Sequence, residues 1–268
     1  MRHEHILSPE RLCATVADCI HNADTILFIT GAGISADSGL PTYRGVGGLY
    51  EERATEEGVP IEAAMSGMMF QIRPELTWKY LWQAGSACYH ARPNRAHDII
   101  ARIQHEKPNA WVLTQNIDGL HRAAGGTRNL IEMHGHAFDL YCPQCRYAYD
   151  FEEIFPHGHK PSEFPPHCLQ PQCSGVIRPN VTLFGELTPL DAQMKLQAVL
   201  ERGLDLVISI GTSSSFPYIV APMYTPGIPT VEINPTETAI SAVVTYRIAL
   251  GASEALQLIW NAFDRTHV

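Results

Sequence analysis

Thr25-Ile26-Leu27-Phe28-Ile29-Thr30 runs directly into Gly31-Ala32-Gly33-Ile34-Ser35-Ala36-Asp37-Ser38-Gly39. The first segment, apolar and uncharged, reads as a strand buried on both faces. A glycine-rich turn from such a strand into a helix N-terminus points backbone N–H groups outward, where they can hold a phosphate. In this reading Gly31 and Gly33 permit the tight turn and the close approach of a pyrophosphate, and the small Ala36 lets the helix pack on the strand. An ordinary Gly-rich strand-to-helix turn has the same local appearance. The continuation Pro41-Thr42-Tyr43-Arg44-Gly45-Val46-Gly47-Gly48-Leu49-Tyr50 tips the reading toward a dinucleotide site.

Outward from this stretch, further strands are expected at Ala110–Thr114, Asn129–Met133, Leu204–Ile210, Thr230–Ile233 and Tyr246–Leu250. Helical patterns lie between them. Ser8-Pro9-Glu10 starts one, with Leu12, Val16 and Ile20 on a single face. Others span Pro74–Ala91, Ala96–His105 (opened by Pro93-Asn94), Leu190–Glu201 and Ser253–Phe263. For Leu190–Glu201 the expected start is Thr188 as cap, Pro189 in the first turn and Asp191 closing a capping box. Strands alternating with helices imply an α/β fold, a mostly parallel, doubly wound sheet covered on both faces.

The 268 residues suffice for one large α/β domain, or one with a small inserted module. Hydrophobic residues at 45% and charged residues at 18% describe a soluble globular chain. The N-terminal stretch has no apolar signal region and no run approaches a membrane span, so a cytoplasmic protein without a membrane partner is expected. A formal charge of −9 opposes a nucleic-acid-coating role. Residues 141–180, rich in Cys, Pro, His and Gln, break the α/β alternation; a segment with so little apolar periodicity needs a staple.

The cysteines supply it. Cys142-Pro143-Gln144-Cys145 and Cys168-Leu169-Gln170-Pro171-Gln172-Cys173 are two knuckles whose four thiolates suit a tetrahedral Zn²⁺. A closed set of four thiolates leaves no position for water, so the zinc is structural. His167, beside Cys168, could replace a thiolate, but the complete cysteine set opposes it; His157 and His159 read as loop residues, and Cys13, Cys19 and Cys88 as helix packing.

Thr114-Gln115-Asn116-Ile117-Asp118-Gly119-Leu120-His121 follows a strand, where open α/β sheets bind ligands, and offers directed hydrogen bonds to a polar heterocycle. Glu132-Met133-His134-Gly135-His136 follows another strand and presents a candidate general base.

With these segments in order, the chain resembles the sirtuin family of NAD-dependent protein lysine deacylases. The likeness runs from about residue 25 to residue 255, through the glycine turn, the 114–121 segment, His134 and the cysteine knuckles. It continues through Ile177-Arg178-Pro179-Asn180-Val181-Thr182-Leu183-Phe184-Gly185-Glu186, Gly211-Thr212-Ser213 and Val231-Glu232-Ile233-Asn234. The resemblance implies an inverted Rossmann-type large domain, about residues 8–40, 93–138 and 182–268. A small domain of about 41–92 would carry the zinc module 139–181, with NAD consumed in the cleft between the two. It implies that Gly31, Ala32, Gly33, Ser35, Ala36, Tyr43, Arg44 and Tyr50 line the phosphate and ribose region of NAD. Gln115, Asn116, Ile117 and Asp118 would hold nicotinamide and its ribose, with Asn116 and Asp118 taking part in catalysis. Gly211, Thr212, Ser213, Asn234 and Ala252 would surround the adenosine half. Acylated lysine peptides would add a β-strand along Val181, Phe184, Gly185 and Glu186. His134 would deprotonate a ribose hydroxyl once the acyl oxygen has displaced nicotinamide, giving free lysine and O-acyl-ADP-ribose. A monomer is expected.

Two positions depart from the family pattern: Tyr43 stands where Phe is commoner, and His136 follows His-Gly where a small or acidic residue is usual. His136 is expected to face solvent. Tyr89 and Arg92, spaced i and i+3 on a helix, are expected to converge on one carboxylate, which the resemblance implies is the distal acid of a succinyl or malonyl group. Competing readings are a dehydrogenase, a zinc-ribbon nucleic-acid module, and an ADP-ribosyltransferase or NAD hydrolase on the same fold. A dehydrogenase would want an acidic residue ending a second strand about 20 positions on, and the acidic balance opposes nucleic acid.

Overall fold

The computed structural model describes residues 8–42, 55–160 and 164–265. Its strands are β1 (Ile26–Thr30), β2 (Ala110–Thr114), β3 (Leu130–Glu132), β4 (Gly135–Tyr141), β5 (Ala148–Tyr149), β6 (Arg178–Val181), β7 (Leu206–Ile210), β8 (Thr230–Ile233) and β9 (Tyr246–Ile248). The helices are α1 (Pro9–Asn22), α2 (Ile61–Ala64), α3 (Gly67–Ile72), α4 (Pro74–Tyr89), α5 (Arg95–Glu106), α6 (Leu120–Ala123), α7 (Phe151–Ile154), α8 (Leu190–Arg202), α9 (Pro217–Val220) and α10 (Ala252–Arg265).

Every residue of β1, β7 and β8 is buried, as both-face coverage demands. These strands belong to a six-stranded parallel sheet of order β3-β2-β1-β7-β8-β9. On one face α1, α5 and α10 pack through Val16, Ile20, Ile99, Ile103, Leu256 and Ile259. On the other, Ala192, Leu196 and Val199 of α8 join Ile219 and Met223. Chain order reverses between β1 and β7, so the crevice beyond the carboxyl ends of these two strands is the switch point where such sheets take ligands.

The strands β5-β4-β6 form a separate antiparallel sheet that the sequence pattern did not announce. Strand β4 runs across the domain boundary expected at 138/139. Residues 141–180 also contribute more core than expected: Cys142, Tyr149, Phe155 and Ile177 are buried with Trp78 and Leu81 of α4. Trp78 and Trp82 lie 5.6 and 5.0 Å from the Phe155 ring. Aromatic burial and the cysteine staple therefore share the task.

Helix starts follow the sequence with one exception. Asn94 caps α5, accepting from Ala96 N at 2.9 Å. At α8 no side chain caps the backbone; the Thr188 hydroxyl instead accepts from Gln193 Nε2 at 2.8 Å, so the expected capping box is absent. Among the described residues no helix is long and apolar enough to cross a membrane.

Candidate active site

Three turns from three parallel strands meet at the switch point. After β1 the chain enters a 3-10 segment, Ala32–Ser38, where a helix was expected; Gly39 at φ +80° ends it. After β7 it turns at Gly211, φ +60°. The two turns interlock. Gly31 N donates to Ile210 O at 3.1 Å, and Gly33 N to Gly211 O at 2.8 Å. A Cβ on Gly33 would lie 2.7 Å from Gly211 Cα, and one on Gly31 would lie 2.8 Å from Thr212 Cα. These glycines therefore serve close packing of backbone on backbone, and their N–H groups are spent inside the protein. The N–H of Ala32, at the first position of the 3-10 segment, remains for an anion. Ala36 is exposed; the packing role expected of it belongs to Ile34, which is fully buried.

The turn after β2 bridges the other two. Gln115 Nε2 donates to Thr212 Oγ1 at 2.9 Å, and Asn116 Nδ2 to Gly31 O at 3.1 Å and Ser35 Oγ at 3.2 Å. Ser35 in turn donates to Asp118 Oδ2 at 2.7 Å, while Leu120 N reaches Asp118 Oδ1 at 3.0 Å. Asp118, 8% exposed, is thus an ordered buried carboxylate. Asn234 Nδ2 holds Thr212 O at 3.0 Å. Two hydrogen-bonded groups result, Gly31, Ser35, Asn116 and Asp118 in one and Gln115, Thr212 and Asn234 in the other, joined by the peptide bond between Gln115 and Asn116. Ser213 pairs with Ser215 at 2.9 Å, and the buried Ala252 begins α10 nearby in sequence to Ser253, which binds Asn94. Tyr43, Arg44 and Tyr50 lie outside the described residues.

His134 stands in the short link between β3 and β4. Its Nδ1 lies 3.0 Å from Gln115 O. A carbonyl oxygen only accepts, so Nδ1 carries the proton and Nε2 the lone pair. Burial pushes the His134 pKa below the ordinary imidazole value, against the opposing pull of the Gln115 carbonyl. The result is a neutral, oriented imidazole. Gly135 follows at φ +78°, where any Cβ would strike the Asn180 carbonyl, so the link requires glycine. His136 does not face solvent: it is 8% exposed and paired with Asp139 at 3.1 Å, turned against Gly119. The Asp139 carboxyl is held down to about 2, first by its hydrogen bond from His136 and then by Arg122.

Two groups missed by the sequence reading complete the surroundings. Asn94, read only as a helix cap, also donates to Ile34 O at 2.7 Å and Ser38 Oγ at 3.0 Å, so it braces the 3-10 segment. Below the site, His121 Nε2 meets Thr30 Oγ1 at 3.0 Å, and burial holds the imidazole neutral with a pKa of about 3.

The expected substrate residues divide. β6 is an edge of its sheet. Beyond it the main chain of Phe184 is committed, its N–H to Met65 O and its carbonyl to Gly67 N. Arg178 Nη2 takes the Val181 carbonyl at 2.7 Å, and Glu186 is bound to Arg178 at 2.6 Å. Of the four, Gly185 alone has no main-chain partner among the described residues. Glu186 braces this turn. The Tyr89 hydroxyl is held by Glu152 with the Arg92 charge near enough to act on it; α4 ends at Tyr89, and exposed Arg92 donates to Ala91 O at 3.5 Å.

An apolar cavity of about 30 Å³ opens instead behind Ile117 and Val181, lined by Trp82, Gly85, Phe138 and Phe151, with no ionisable residue in its wall.

The four cysteine sulfurs lie within 4.8 Å of one another. Cys142 and Cys173 are 3.6 Å apart, and Cys145 and Cys168 3.5 Å. These spacings are far longer than a disulfide and match the edges, about 3.8 Å, of a tetrahedron with Zn–S bonds of about 2.3 Å. Tyr149 adds an O–H directed at Cys168 Sγ, 3.0 Å away. The cluster fits Zn²⁺, and exposed His167 takes no part.

A doubly wound sheet with interlocked glycine turns at its switch point, a half-buried Asn116 beside a buried Asp118 and a closed thiolate module defines a dinucleotide-binding α/β protein with a site for a structural metal. A family profile described as Sir2 family matches residues 31–217. The chain is 50% identical over 239 residues to the NAD-dependent protein deacylase 2 of Pseudomonas aeruginosa, covering 88% of this chain and 91% of that one. A Sir2 complex with deacetylated p53 peptide and 3′-O-acetyl ADP ribose aligns with TM-score 0.80 at 29% identity, covering 92% of this chain and 96% of that one. A Sir2–p53 peptide–NAD⁺ complex aligns at TM-score 0.77 and 29% identity, with the same coverage. The chain belongs to the Sir2 family.

Proposed function

We propose that this chain is an NAD-dependent protein lysine deacylase acting on short, uncharged acyl groups, with His134 as its general base. One observation carries the reading: the neutral His134 ring is fixed by the carbonyl of Gln115, whose neighbours Asn116 and Asp118 are locked onto the glycine turn. NAD, when bound, supplies a ribose carbon that accepts the acyl oxygen as nicotinamide leaves. Gly31, Ala32, Gly33, Ser35 and Ala36 would border its phosphates, and Gln115, Asn116, Ile117 and Asp118 its nicotinamide end. Gly211, Thr212, Ser213, Asn234 and Ala252 would border its adenosine half. Asn116 and Asp118 hold fixed dipoles and a charge toward the reacting centre, away from bulk water. His134 Nε2 takes a proton from a ribose hydroxyl. Zn²⁺ on Cys142, Cys145, Cys168 and Cys173 stabilises the β4–β6 module.

The peptide would lie along the turn at Gly185 rather than pair with all of Val181, Phe184, Gly185 and Glu186. A cleft between a large unit (8–40, 93–134, 182–265) and a small one (55–92, 135–181) would hold both substrates. The apolar cavity favours acetyl and slightly longer neutral chains, because a succinyl carboxylate buried there would have no partner. The test is a panel of acetyl-, butyryl- and succinyl-lysine peptides with NAD, following nicotinamide and deacylated peptide together. Turnover of neutral acyl peptides, abolished in His134→Ala, supports the reading. Nicotinamide release without deacylation, or an ADP-ribosylated acceptor by mass spectrometry, overturns it.

A further inference from the structure

His134 has a second partner that the proposed reaction does not use. The Tyr218 hydroxyl lies 2.8 Å from Nε2. Because Nδ1 is the donor to Gln115 O, Nε2 is the acceptor and the phenol the donor. An imidazole nitrogen has one in-plane lone pair, so a hydroxyl awaiting deprotonation must take the place the phenol now fills. Phe216 closes the same side, edge-on to the His134 ring at 5.8 Å and 5.7 Å from Tyr218.

The loop that carries these aromatics is anchored to the site. Ser214 sits at φ +57° and its N–H binds Thr212 Oγ1 at 3.1 Å, the same oxygen that accepts from Gln115. Tyr218 is the second residue of the short helix α9 and is 43% exposed, so its hydroxyl can leave the base without uncovering a core. The charged groups around His134 are committed elsewhere. Glu132 and Asp139 are bound by Arg122, Asp139 also pairs with His136, Glu186 with Arg178, and Asp118 with Ser35. Tyr218 is the titratable side chain in contact with the ring among the described residues.

We propose that Tyr218 is a positioning residue that masks the base, holding the His134 lone pair until a ribose hydroxyl of the bound dinucleotide displaces the phenol. This rests on the reading of His134 as the base. Two consequences separate masking from mere support. The phenol donates to the neutral ring and accepts from the protonated one, with unequal strength, so its removal shifts the His134 pKa; it also competes with the ribose hydroxyl, so its removal eases the reaction.

The experiment uses Tyr218→Phe, which keeps the ring and its packing. His134 is titrated by NMR in the full chain, free and saturated with ADP-ribose, and kcat/KM for NAD is measured beside it. In the free protein, the variant's His134 pKa is expected to differ from the parent's by about 0.5–1 unit, the worth of the lost contact. With ADP-ribose bound, variant and parent are expected to coincide. The kcat/KM for NAD is expected to rise about threefold to tenfold. An unchanged pKa in the free protein, or a tenfold fall in kcat/KM with normal folding, overturns the proposal. The NMR arm does not depend on turnover: a shifted pKa with full activity in His134→Ala refutes the base assignment and leaves the Tyr218 contact standing.

Discussion

Replacing Gly33 by alanine separates two explanations of the glycine turn. If the glycine exists to let a pyrophosphate approach, the added methyl weakens NAD binding and leaves the ligand-free protein untouched. The geometry predicts otherwise. The new Cβ would lie 2.7 Å from Gly211 Cα and 2.8 Å from its oxygen, against the roughly 3.5–4.0 Å of a comfortable carbon contact. Both atoms are Gly211 backbone just past the central strand β7, so neither can swing away as a side chain would. Separating the turns stretches the 2.8 Å bond from Gly33 N to Gly211 O. Overpacking costs about 1–3 kcal/mol and the lost bond about 1, while the stiffer unfolded chain returns about 0.7. The net destabilisation is about 1–3 kcal/mol, or about 3–10 °C in Tm for a chain of this size. Gly33→Ala should therefore melt earlier without NAD, by calorimetry. An unchanged melt alongside a raised KM for NAD would refute the packing argument and restore the phosphate explanation.

Three further outcomes are expected. Because burial lowers the His134 pKa and the base works only when neutral, the acid limb of kcat/KM should fall below the ordinary histidine value of about 6.5; a limb at or above 7 contradicts this. Gly85 lies inside α4 with open space where its Cβ would be, so Gly85→Leu should fill the apolar cavity. It should cut activity on butyryl-lysine tenfold or more while sparing acetyl-lysine about twofold, and helix propensity predicts no loss of Tm. Tyr149→Phe removes the O–H aimed at Cys168, and metal competition with a chromophoric chelator should report about tenfold weaker zinc retention; equal retention refutes that contact.

The parallel sheet was legible because its strands are continuous apolar runs, and Ala110–Thr114 and Thr230–Ile233 have the bounds the sequence predicts. The small sheet was not, for reasons visible in its residues. Strand β6 contains Pro179, which argues against a strand, yet β6 is an edge and the missing N–H costs no ladder bond. Strand β4 opens on Gly135 at positive φ, which interrupts the alternation that marks a strand. The site shows the same division. Gln115, Asn116, Asp118 and His134 stood out because polar residues just past a strand are informative by position alone. What Gly31 and Gly33 face was invisible, because Gly211 is distant in the chain. Tyr218 carried no local signal; only the fold brings its hydroxyl to His134. The spacing of Tyr89 and Arg92 records a shared face, but not that the helix ends at Tyr89 or that Glu152 takes the phenol.

The position of His134 also bears on how the site is held. It lies between β3, the last strand on one side of the parallel sheet, and β4, the centre of the small antiparallel sheet. Its imidazole is tied to the large sheet through Gln115, whose own N–H binds Thr30 O at 3.0 Å. Its carbonyl is tied to the other side by Thr182 N at 2.9 Å, just past β6. A base mounted on either sheet alone would keep its place against only one substrate. Mounted at the junction, it is fixed against the dinucleotide turn and the Val181–Gly185 segment at once. Loss of the zinc module should therefore misplace His134 as well as unfold β4–β6, which couples the metal site to the proposed base.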